Sequence, residues 1–261
     1  MQIREVICKT ALSNSTLPGL NYSLNPYRGC QHNCAYCYVP NILRIKRSNW
    51  GSFVEVKRNI PNVLSKELKN KKPGVVGIST VTDPYQPIEK KYKITRYCLE
   101  QLLYYDFPIC LQTKSKLITR DLDIISKFSN PEIMFSIGTI NDKERKLLEP
   151  NSSSIKDRLI ALKISSETGI RTSVFFGPIY PTIKPADLEN TLDIFMENGA
   201  SEIMIDKFNL KSGVKENVEK YMKLNSFFLE KFSNYKYNYR LQKKKIYEIG
   251  KKRKIKIIDA F

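Results

Sequence analysis

Three cysteines, Cys30, Cys34 and Cys37, lie close together in a C-x₃-C-x₂-C spacing. Pro26 and Gly29 precede them, so the segment is predicted to form a tight loop rather than one face of a helix. Three thiolates on a four-iron cluster would leave one iron without a protein ligand, and an open iron can bind a small molecule and pass it an electron. Most cysteine-ligated clusters are closed by four thiolates and only carry electrons. The loop therefore predicts chemistry at a metal.

The residues around this loop and a second motif further along the chain resemble those of a known protein family. Residues 25–38 read Asn-Pro-Tyr-Arg-Gly-Cys-Gln-His-Asn-Cys-Ala-Tyr-Cys-Tyr, with an aromatic residue just before the last cysteine. Residues 82–89 read Thr-Asp-Pro-Tyr-Gln-Pro-Ile-Glu. Both motifs resemble the radical SAM superfamily and, within it, the branch related to spore photoproduct lyase, the DNA-repair photolyase-like proteins. The resemblance covers roughly residues 20–210.

The resemblance implies a cofactor and a reaction. Cys30, Cys34 and Cys37 would bind a [4Fe–4S] cluster, and its open iron would chelate the amino and carboxylate groups of S-adenosylmethionine (SAM). A one-electron reductant, ferredoxin or flavodoxin-like, would charge the cluster. SAM would then break into methionine and a 5′-deoxyadenosyl radical, which abstracts hydrogen from an unidentified substrate. The cofactor supplies the difficult chemistry and the protein positions it. The expected activity is that of a radical SAM enzyme, a lyase or another radical transformation.

Polar residues that end the predicted strands are candidate SAM contacts, because ligands bind at the carboxyl ends of parallel strands. Ser79, Thr80 and Asp83 follow the second strand, where the resemblance implies contact with the amino group of SAM. This sequence has Ser-Thr-Val-Thr-Asp where glycine-glycine-glutamate is common elsewhere in the superfamily. Lys114 ends the third strand and is expected to pair with the SAM carboxylate. Ser136 ends the fourth and is expected to contact the ribose or the carboxylate.

Two tyrosines flank the last cysteine of the loop. The resemblance places the backbone of Tyr36 against adenine and makes Tyr38 a candidate for radical relay, with a structural phenol as the alternative. In the lyase itself, a cysteine soon after the second strand returns a hydrogen atom to the product radical. Residues 79–82 contain no cysteine, and Cys110 lies a strand away. Photoproduct repair is therefore an alternative hypothesis and not the main one, since a shared fold does not fix the substrate.

A structural metal is the other reading of the cysteines. Zinc would need a fourth ligand, either His32 within the loop or a distant cysteine such as Cys8, Cys98 or Cys110. His32 lies between two of the cysteines in the same short loop, a position that is unfavourable for a fourth tetrahedral ligand. In this reading the protein is a basic nucleic-acid-binding module without radical chemistry.

Strands and helices alternate along most of the chain, which predicts a parallel sheet covered by helices. About six such units are counted, fewer than the eight of a closed barrel. We expect an α/β fold, a partial (β/α)₆ barrel of parallel strands with a helical, basic C-terminal extension. The predicted strands are 21–24, 75–80, 108–113, 132–137, 171–176 and 202–206, and the predicted helices are 62–69, 94–105, 117–128, 154–168 and 188–198. Residues 50–56 alternate as a further short strand, and residues 1–20 show little periodicity.

The alternation of strands and helices stops after residue 210. We therefore expect a radical SAM core domain over 1–210 and a basic extension packed on it over 211–261. Residues 214–232 are predicted to be helical. Aromatic and basic residues then interleave at 235–240, and lysines cluster at 243–245 and 251–254. These runs are either a grip for nucleic acid or a solvated helical face followed by an end strand at 254–258.

The chain of 261 residues has a formal net charge of +18, which attracts polyanions and makes nucleic acid a possible partner. A lysine-rich composition throughout explains the same number without a partner. Neither an apolar signal core at the N-terminus nor a run of about 18 apolar residues is present, so we expect no membrane partner and a cytoplasmic location. Thiols stay reduced there, and clustered cysteines usually bind metal.

Overall fold

A mainly parallel sheet forms the centre of the computed structural model, which describes residues 1–260. Its strand order is β11-β10-β9-β8-β7-β6-β3-β2, and every pairing is parallel except β2 with β3. The strands are β1 (Gln2–Val6), β2 (Leu12–Asn14), β3 (Tyr22–Leu24), β4 (Tyr27–Arg28), β5 (Phe53–Lys57), β6 (Val76–Ile78), β7 (Ile109–Thr113), β8 (Pro131–Ser136), β9 (Arg171–Phe176), β10 (Glu202–Ile205) and β11 (Ile257–Asp259).

Helices connect the parallel strands. They are α1 (Val39–Ile42), α2 (Ile60–Leu68), α3 (Glu89–Tyr92), α4 (Ile94–Tyr104), α5 (Leu122–Ile125), α6 (Asp142–Leu148), α7 (Ile155–Glu167), α8 (Leu188–Glu197), α9 (Val214–Met222), α10 (Ser226–Ser233) and α11 (Tyr235–Arg253), with 3₁₀ turns at Arg47–Asn49, Lys116–Asp121 and Pro185–Asp187. No helix within residues 1–260 is long and apolar enough to cross a membrane.

The predicted fold class is confirmed. All six predicted strands form, as β3 and β6 to β10, and they lie side by side in chain order. The sheet does not close on itself, since β2 and β11 lie at opposite ends of the strand order, so the barrel is partial. Gly169 and Gly199 follow α7 and α8 with φ of +81° and +94°, the left-handed conformation that commonly ends a helix.

One face of each inner strand packs under the helices, and the other face lines a cavity. Leu111 of β7, Ile133 of β8 and Val174 of β9 are fully buried in the hydrophobic core. The alternate residues, such as Gln112 and Met134, line the cavity. Period-two alternation in a strand therefore separates the packing face from the ligand face.

Three parts of the prediction differ from the structure. Residues 1–20 contain β1, which pairs with β5 in a second small sheet, and β2. The side chains of β1 are mostly exposed, so no hydrophobic pattern marks it. The predicted helix 214–232 is two helices, because Asn225 begins α10 by accepting a hydrogen bond from the Phe228 N–H at 2.9 Å. The end strand begins at Ile257, since Lys254 adopts φ +56° and ends α11.

The C-terminal segment contributes to both layers. Strand β11 pairs with β10 as a seventh parallel strand, and α11 packs on α8. Lys252 and Arg253 of α11 form ion pairs with Glu189 of α8 at 3.2 and 3.1 Å. The division into domains at residue 210 stays a prediction.

Candidate active site

A cavity of about 620 Å³ lies on the inner face of the sheet and has the size of a ligand pocket. Every residue that the sequence predicted for the site lines it. They are the cysteines Cys30, Cys34 and Cys37, the tyrosines Tyr36 and Tyr38, and the strand-end residues Ser79, Thr80, Asp83, Lys114 and Ser136. Residues separated by more than 100 positions in the sequence thus meet in one space.

The cysteine loop is held by its backbone from several directions. It begins at Gly29, whose φ is +86° and where a Cβ would lie 2.4 Å from the Phe53 carbonyl oxygen, so only glycine fits. The Ala35 N–H donates to the Leu148 carbonyl at 2.8 Å, and Asn217 of α9 donates to the Ala35 carbonyl at 2.7 Å. Arg47 donates to the Cys37 carbonyl at 2.8 Å. The loop is therefore rigid before any ligand binds.

The three thiols influence one another inside the cavity. Burial raises the pKa of each thiol; for Cys30, burial together with Asp83 and Cys37 raises the pKa to about 12, and Cys37 and Cys30 also raise the pKa of Cys34. The Lys114 ammonium acts in the opposite direction on Cys34 and Cys37. A metal binds the thiolate form of cysteine. Metal binding by these protonated thiols would therefore release protons.

A single metal ion is poorly served by the same side chains. Within residues 1–260, no group of three or more His, Cys, Asp or Glu side chains is arranged to hold one ion. A tetrahedral zinc would need its sulfurs about 2.3 Å from a common point. His32, the fourth ligand considered for zinc, is buried and directs Nδ1 at Asp83 Oδ2, 3.3 Å away. His32 therefore faces Asp83 in this structure.

Asp83 ties the second and third strand ends together. Its Oδ1 accepts hydrogen bonds from the Tyr85 N–H at 2.9 Å and the Thr113 hydroxyl at 2.8 Å, and its Oδ2 accepts from the Lys114 N–H at 2.7 Å. Burial alone would raise the pKa of Asp83, but His32 and these donors outweigh it and lower the pKa to about 2. The carboxylate stays charged and fixes the backbone from which the Lys114 side chain extends.

Hydroxyl groups after β6 lack partners. Ser79 has φ +64°, uncommon for a residue with a side chain, and its buried Oγ has no hydrogen-bond partner among the described residues. The Thr82 Oγ1 is likewise buried and unpartnered. Thr80 Oγ1 accepts from the Asn25 amide at 3.3 Å. Unsatisfied buried hydroxyls are costly, so those of Ser79 and Thr82 are suited to a ligand that supplies the missing hydrogen bonds.

Lys114 provides positive charge to the cavity. Its Nζ lies 5.9 Å from the centre of the Tyr36 ring, in the range of a cation–π contact. No carboxylate of residues 1–260 forms an ion pair with it. Burial tends to lower the pKa of Lys114, but Cys34 and Glu149 outweigh it and raise the pKa. The ammonium is therefore available to an anionic group of a ligand.

A buried ion pair behind the cysteine loop was not predicted. Glu149 follows α6 and accepts hydrogen bonds from the Tyr36 hydroxyl and from Arg158 of α7. Both charged side chains are buried, with exposed fractions of 1% and 0%. Arg158 also donates to the Ser136 carbonyl at 2.7 Å, while Ser136 Oγ accepts from Gln112 at 3.0 Å. The pair fixes the Tyr36 ring beside the cysteines.

The floor of the cavity, at the amino ends of the strands, is also charged. Arg171 of β9 pairs with Glu202 of β10 at 2.8 Å, and Lys256 pairs with the same carboxylate at 2.5 Å. Burial raises the pKa of the nearby Cys110 to about 12. No spacing in the sequence marks these residues as neighbours, because they lie on or next to different strands.

Tyr38 and Asp206 both line the cavity. Burial raises the pKa of Tyr38, and Asp206 and Cys37 raise it further. Burial also raises the pKa of Asp206. Asp206 directly follows β10, as Ser79 and Lys114 follow β6 and β7, and the same rule of strand ends would have made it a candidate.

The residues present fit an iron–sulfur cluster with a bound cofactor. The three thiols of one short loop line the cavity. The Lys114 ammonium and the unpartnered Ser79 hydroxyl face the same space. Such a donor set matches a cluster with an open iron and a ligand that carries both an amino and a carboxylate group.

Comparison with known proteins agrees with this geometry. A family model described as the Radical SAM superfamily matches residues 24–195. An uncharacterized protein of Methanocaldococcus jannaschii is 35% identical over 185 residues, which cover 70% of each chain. A protein named radical SAM Nα-GlyT isomerase, from Pseudomonas phage M6, is 27% identical over 164 residues, which cover 62% of this chain and 34% of the phage protein.

The fold is similar to a solved structure. Spore photoproduct lyase complexed with dinucleoside spore photoproduct superposes with a TM-score of 0.65 and 18% identity, and the match covers 85% of this chain and 66% of the lyase. At this identity the likeness concerns the fold alone. This chain spans less than two thirds of the lyase and about one third of the phage protein.

Proposed function

Because the chain belongs to the radical SAM superfamily, we propose that Cys30, Cys34 and Cys37 hold a [4Fe–4S] cluster and that SAM binds beside it. One observation carries the proposal: these thiols, the Lys114 ammonium and the unpartnered Ser79 hydroxyl face a single cavity. Loaded in this way, the cluster and SAM would supply a 5′-deoxyadenosyl radical that abstracts hydrogen from a substrate in the cavity. Membership of this family favours an enzyme over a binding module with a structural metal.

The protein's own residues bind and orient the cofactor. The Lys114 ammonium attracts the SAM carboxylate, and Asp83 positions Lys114 through its backbone N–H at 2.7 Å. Ser79 and Thr80 accept hydrogen bonds from the amino group, and Ser79 gains the partner it lacks. Ser136 is placed for the ribose or carboxylate by the Gln112 amide, 3.0 Å away.

The tyrosines have two different tasks in this proposal. Tyr36 presents its backbone to adenine while the ion pair of Glu149 and Arg158 holds its hydroxyl. Tyr38 lines the cavity next to Cys37, where a phenol can relay a hydrogen atom. The phenol is protonated at neutral pH, as a hydrogen-atom donor must be, and burial raises its pKa still further from neutrality.

Anaerobic reconstitution with iron and sulfide tests the proposal. We expect about four iron atoms per chain and 5′-deoxyadenosine on addition of SAM and dithionite. Cys34→Ala should abolish 5′-deoxyadenosine formation. Cys8→Ala is the matched control, since Cys8 lies outside the cavity and should leave both iron content and product unchanged. Turnover by Cys34→Ala at the level of the control contradicts the cluster assignment.

Nucleic acid is the second candidate for the substrate, and a lyase-like DNA-repair activity is its sharper form. The net charge of +18 favours it. Within residues 1–260, several basic side chains of the C-terminal segment, including Lys236, Arg240 and Lys244, form no ion pair. Binding to single- and double-stranded DNA, measured against salt, tests this candidate. A steep salt dependence with product formation on DNA supports it, and flat, weak binding favours a smaller substrate.

A further inference from the structure

The chain contains a single histidine, and it lies inside the cysteine loop. His32 is placed between Cys30 and Cys34, is 2% exposed and lines the same cavity as the cysteines. Its Nδ1 is buried and has no hydrogen-bond partner within residues 1–260. A buried polar ring without hydrogen bonds is costly, so His32 is expected to gain one when the cavity holds a ligand.

Asp83 lies against one edge of the His32 ring. The distance from His32 Nδ1 to Asp83 Oδ2 is 3.3 Å, close to a hydrogen bond but not aligned as one. Contacts of this kind commonly shorten and align when the ligand binds. The ring nitrogen that faces the carboxylate carries the proton, which leaves the other nitrogen as an acceptor. Nε2 is therefore the acceptor that His32 offers to the cavity.

Asp83 itself has no acceptor position left for a ligand. Its Oδ1 accepts hydrogen bonds from the Tyr85 N–H and the Thr113 hydroxyl, and its Oδ2 accepts from the Lys114 N–H and faces His32. A carboxylate offers about four acceptor positions, and these groups occupy them. Asp83 can therefore position other groups, while an amino group in the cavity needs a different acceptor.

Ser79 provides a second unsatisfied group in the same space. Its side chain is 5% exposed, its Oγ has no partner within residues 1–260, and it lines the cavity with His32. Ser79 belongs to the segment that follows β6, whereas His32 belongs to the cysteine loop. Acceptors from two separate segments thus face one cavity, and a ligand with N–H donors would satisfy both.

These contacts give the histidine a place in the proposed function, on which the inference rests. We infer that His32 is a further SAM contact, whose Nε2 accepts a hydrogen bond from the amino group of SAM while Asp83 holds the ring through Nδ1. Ser79, Thr80 and His32 then surround the amino group and share its N–H donors, as three-centre hydrogen bonds allow. Asp83 positions both ends of the amino-acid part of SAM, the Lys114 backbone for the carboxylate and the His32 ring for the amino group.

Two substitutions on the reconstituted full chain test the inference, because each keeps one edge of the ring. In His32→Asn, the amide takes the place of Nδ1 and keeps the contact with Asp83, but nothing reaches the position of Nε2. SAM affinity, measured by equilibrium dialysis, should fall about tenfold while iron content stays at the wild-type level. In His32→Gln, the amide reaches the position of Nε2, and SAM affinity should stay within about threefold of wild type. The opposite order, with His32→Asn binding SAM like the wild type, would overturn the inference.

An analogue of SAM that carries hydrogen in place of the amino group identifies the group that His32 contacts. The difference in affinity between wild type and His32→Asn should disappear with this analogue. A difference that persists would show that His32 does not contact the amino group.

Gln31→Met is the matched control for damage to the loop. Gln31 precedes His32, is buried, accepts a hydrogen bond from the Ile88 N–H and does not line the cavity. This variant should lower Tm and iron content together, and the same pattern in His32→Asn would assign His32 to loop support and overturn the inference. Failure of the wild type to bind SAM after it has taken up iron refutes the proposed function instead, whereas equal SAM affinity in wild type and His32→Asn refutes only the inference.

Discussion

Replacing Arg158 with methionine should destabilise the protein strongly. The substitution keeps an apolar chain of similar length but removes the guanidinium that faces Glu149 in the buried pair. It also removes the hydrogen bonds to the carbonyls of Ser136 and Ser153, at 2.7 and 3.0 Å. Breaking a buried ion pair by removing one partner costs about 3–5 kcal/mol, because an uncompensated charge stays inside. We therefore expect Arg158→Met to lose about this much free energy of unfolding.

Thermal and urea unfolding followed by circular dichroism measure the loss. At about 2–4 °C per kcal/mol for a chain of this size, Tm should fall by roughly 6–20 °C. In the wild-type protein, burial tends to raise the pKa of Glu149, but Arg158 and Lys114 outweigh burial, and the pKa is lowered. Without Arg158 the carboxyl should take up a proton more readily, so the defect should be smaller at acid pH than at neutral pH.

Two further variants separate the buried pair from a general loss of charge. Glu149→Gln combined with Arg158→Met removes both charges of the pair and should recover part of the lost stability. Lys116→Met removes an exposed pair with Asp157, 2.9 Å long, and should change stability by about 1 kcal/mol or less. A loss by Arg158→Met no larger than that of Lys116→Met would refute the reasoning, as would a double variant less stable than Arg158→Met alone.

Three other predictions concern the site and its frame. Lys114→Ala should weaken SAM binding in equilibrium dialysis while iron content stays the same; unchanged affinity would remove Lys114 from the SAM site. Gly29→Ala should lower both stability and iron incorporation, since its Cβ would meet the Phe53 carbonyl at 2.4 Å, whereas Gly169→Ala, at φ +81° with nothing within 4 Å, should cost only about 1–2 kcal/mol. Burial tends to raise the pKa of Glu202, but Lys256 and Arg171 outweigh burial, and the pKa is lowered. The charged Glu202 therefore stabilises the folded protein above the carboxyl's unfolded pKa of about 4.3, and this stabilisation is lost as pH falls below that value. Glu202→Gln should flatten the acid side of the stability profile, and an unchanged slope there would show that the floor pair contributes nothing.

Local patterns in the sequence were enough to predict the sheet. The strands β6 to β10 are short apolar runs between amphipathic helices, and each lies within about two residues of its predicted range. Strand β1 escaped prediction because it is an exposed edge strand, and its partner β5 is about 50 residues away. Hydrophobic periodicity reports burial, and an exposed strand offers none.

The residues predicted from strand ends and cysteine spacing line one cavity, because the topology of a parallel sheet brings these positions together. Glu149 and Arg158 were missed for a physical reason. Their pairing depends on how α6 and α7 turn towards the cysteine loop, and no local pattern encodes that orientation. Ser79 was predicted as a contact, but its left-handed backbone and unpartnered hydroxyl required coordinates.

Trp50 is the sole tryptophan of the chain. Trp50 is buried and lines the same cavity as the three cysteines. An iron–sulfur chromophore formed beside it would absorb its emission. Quenching of the Trp50 fluorescence would thus report cluster assembly without any added label.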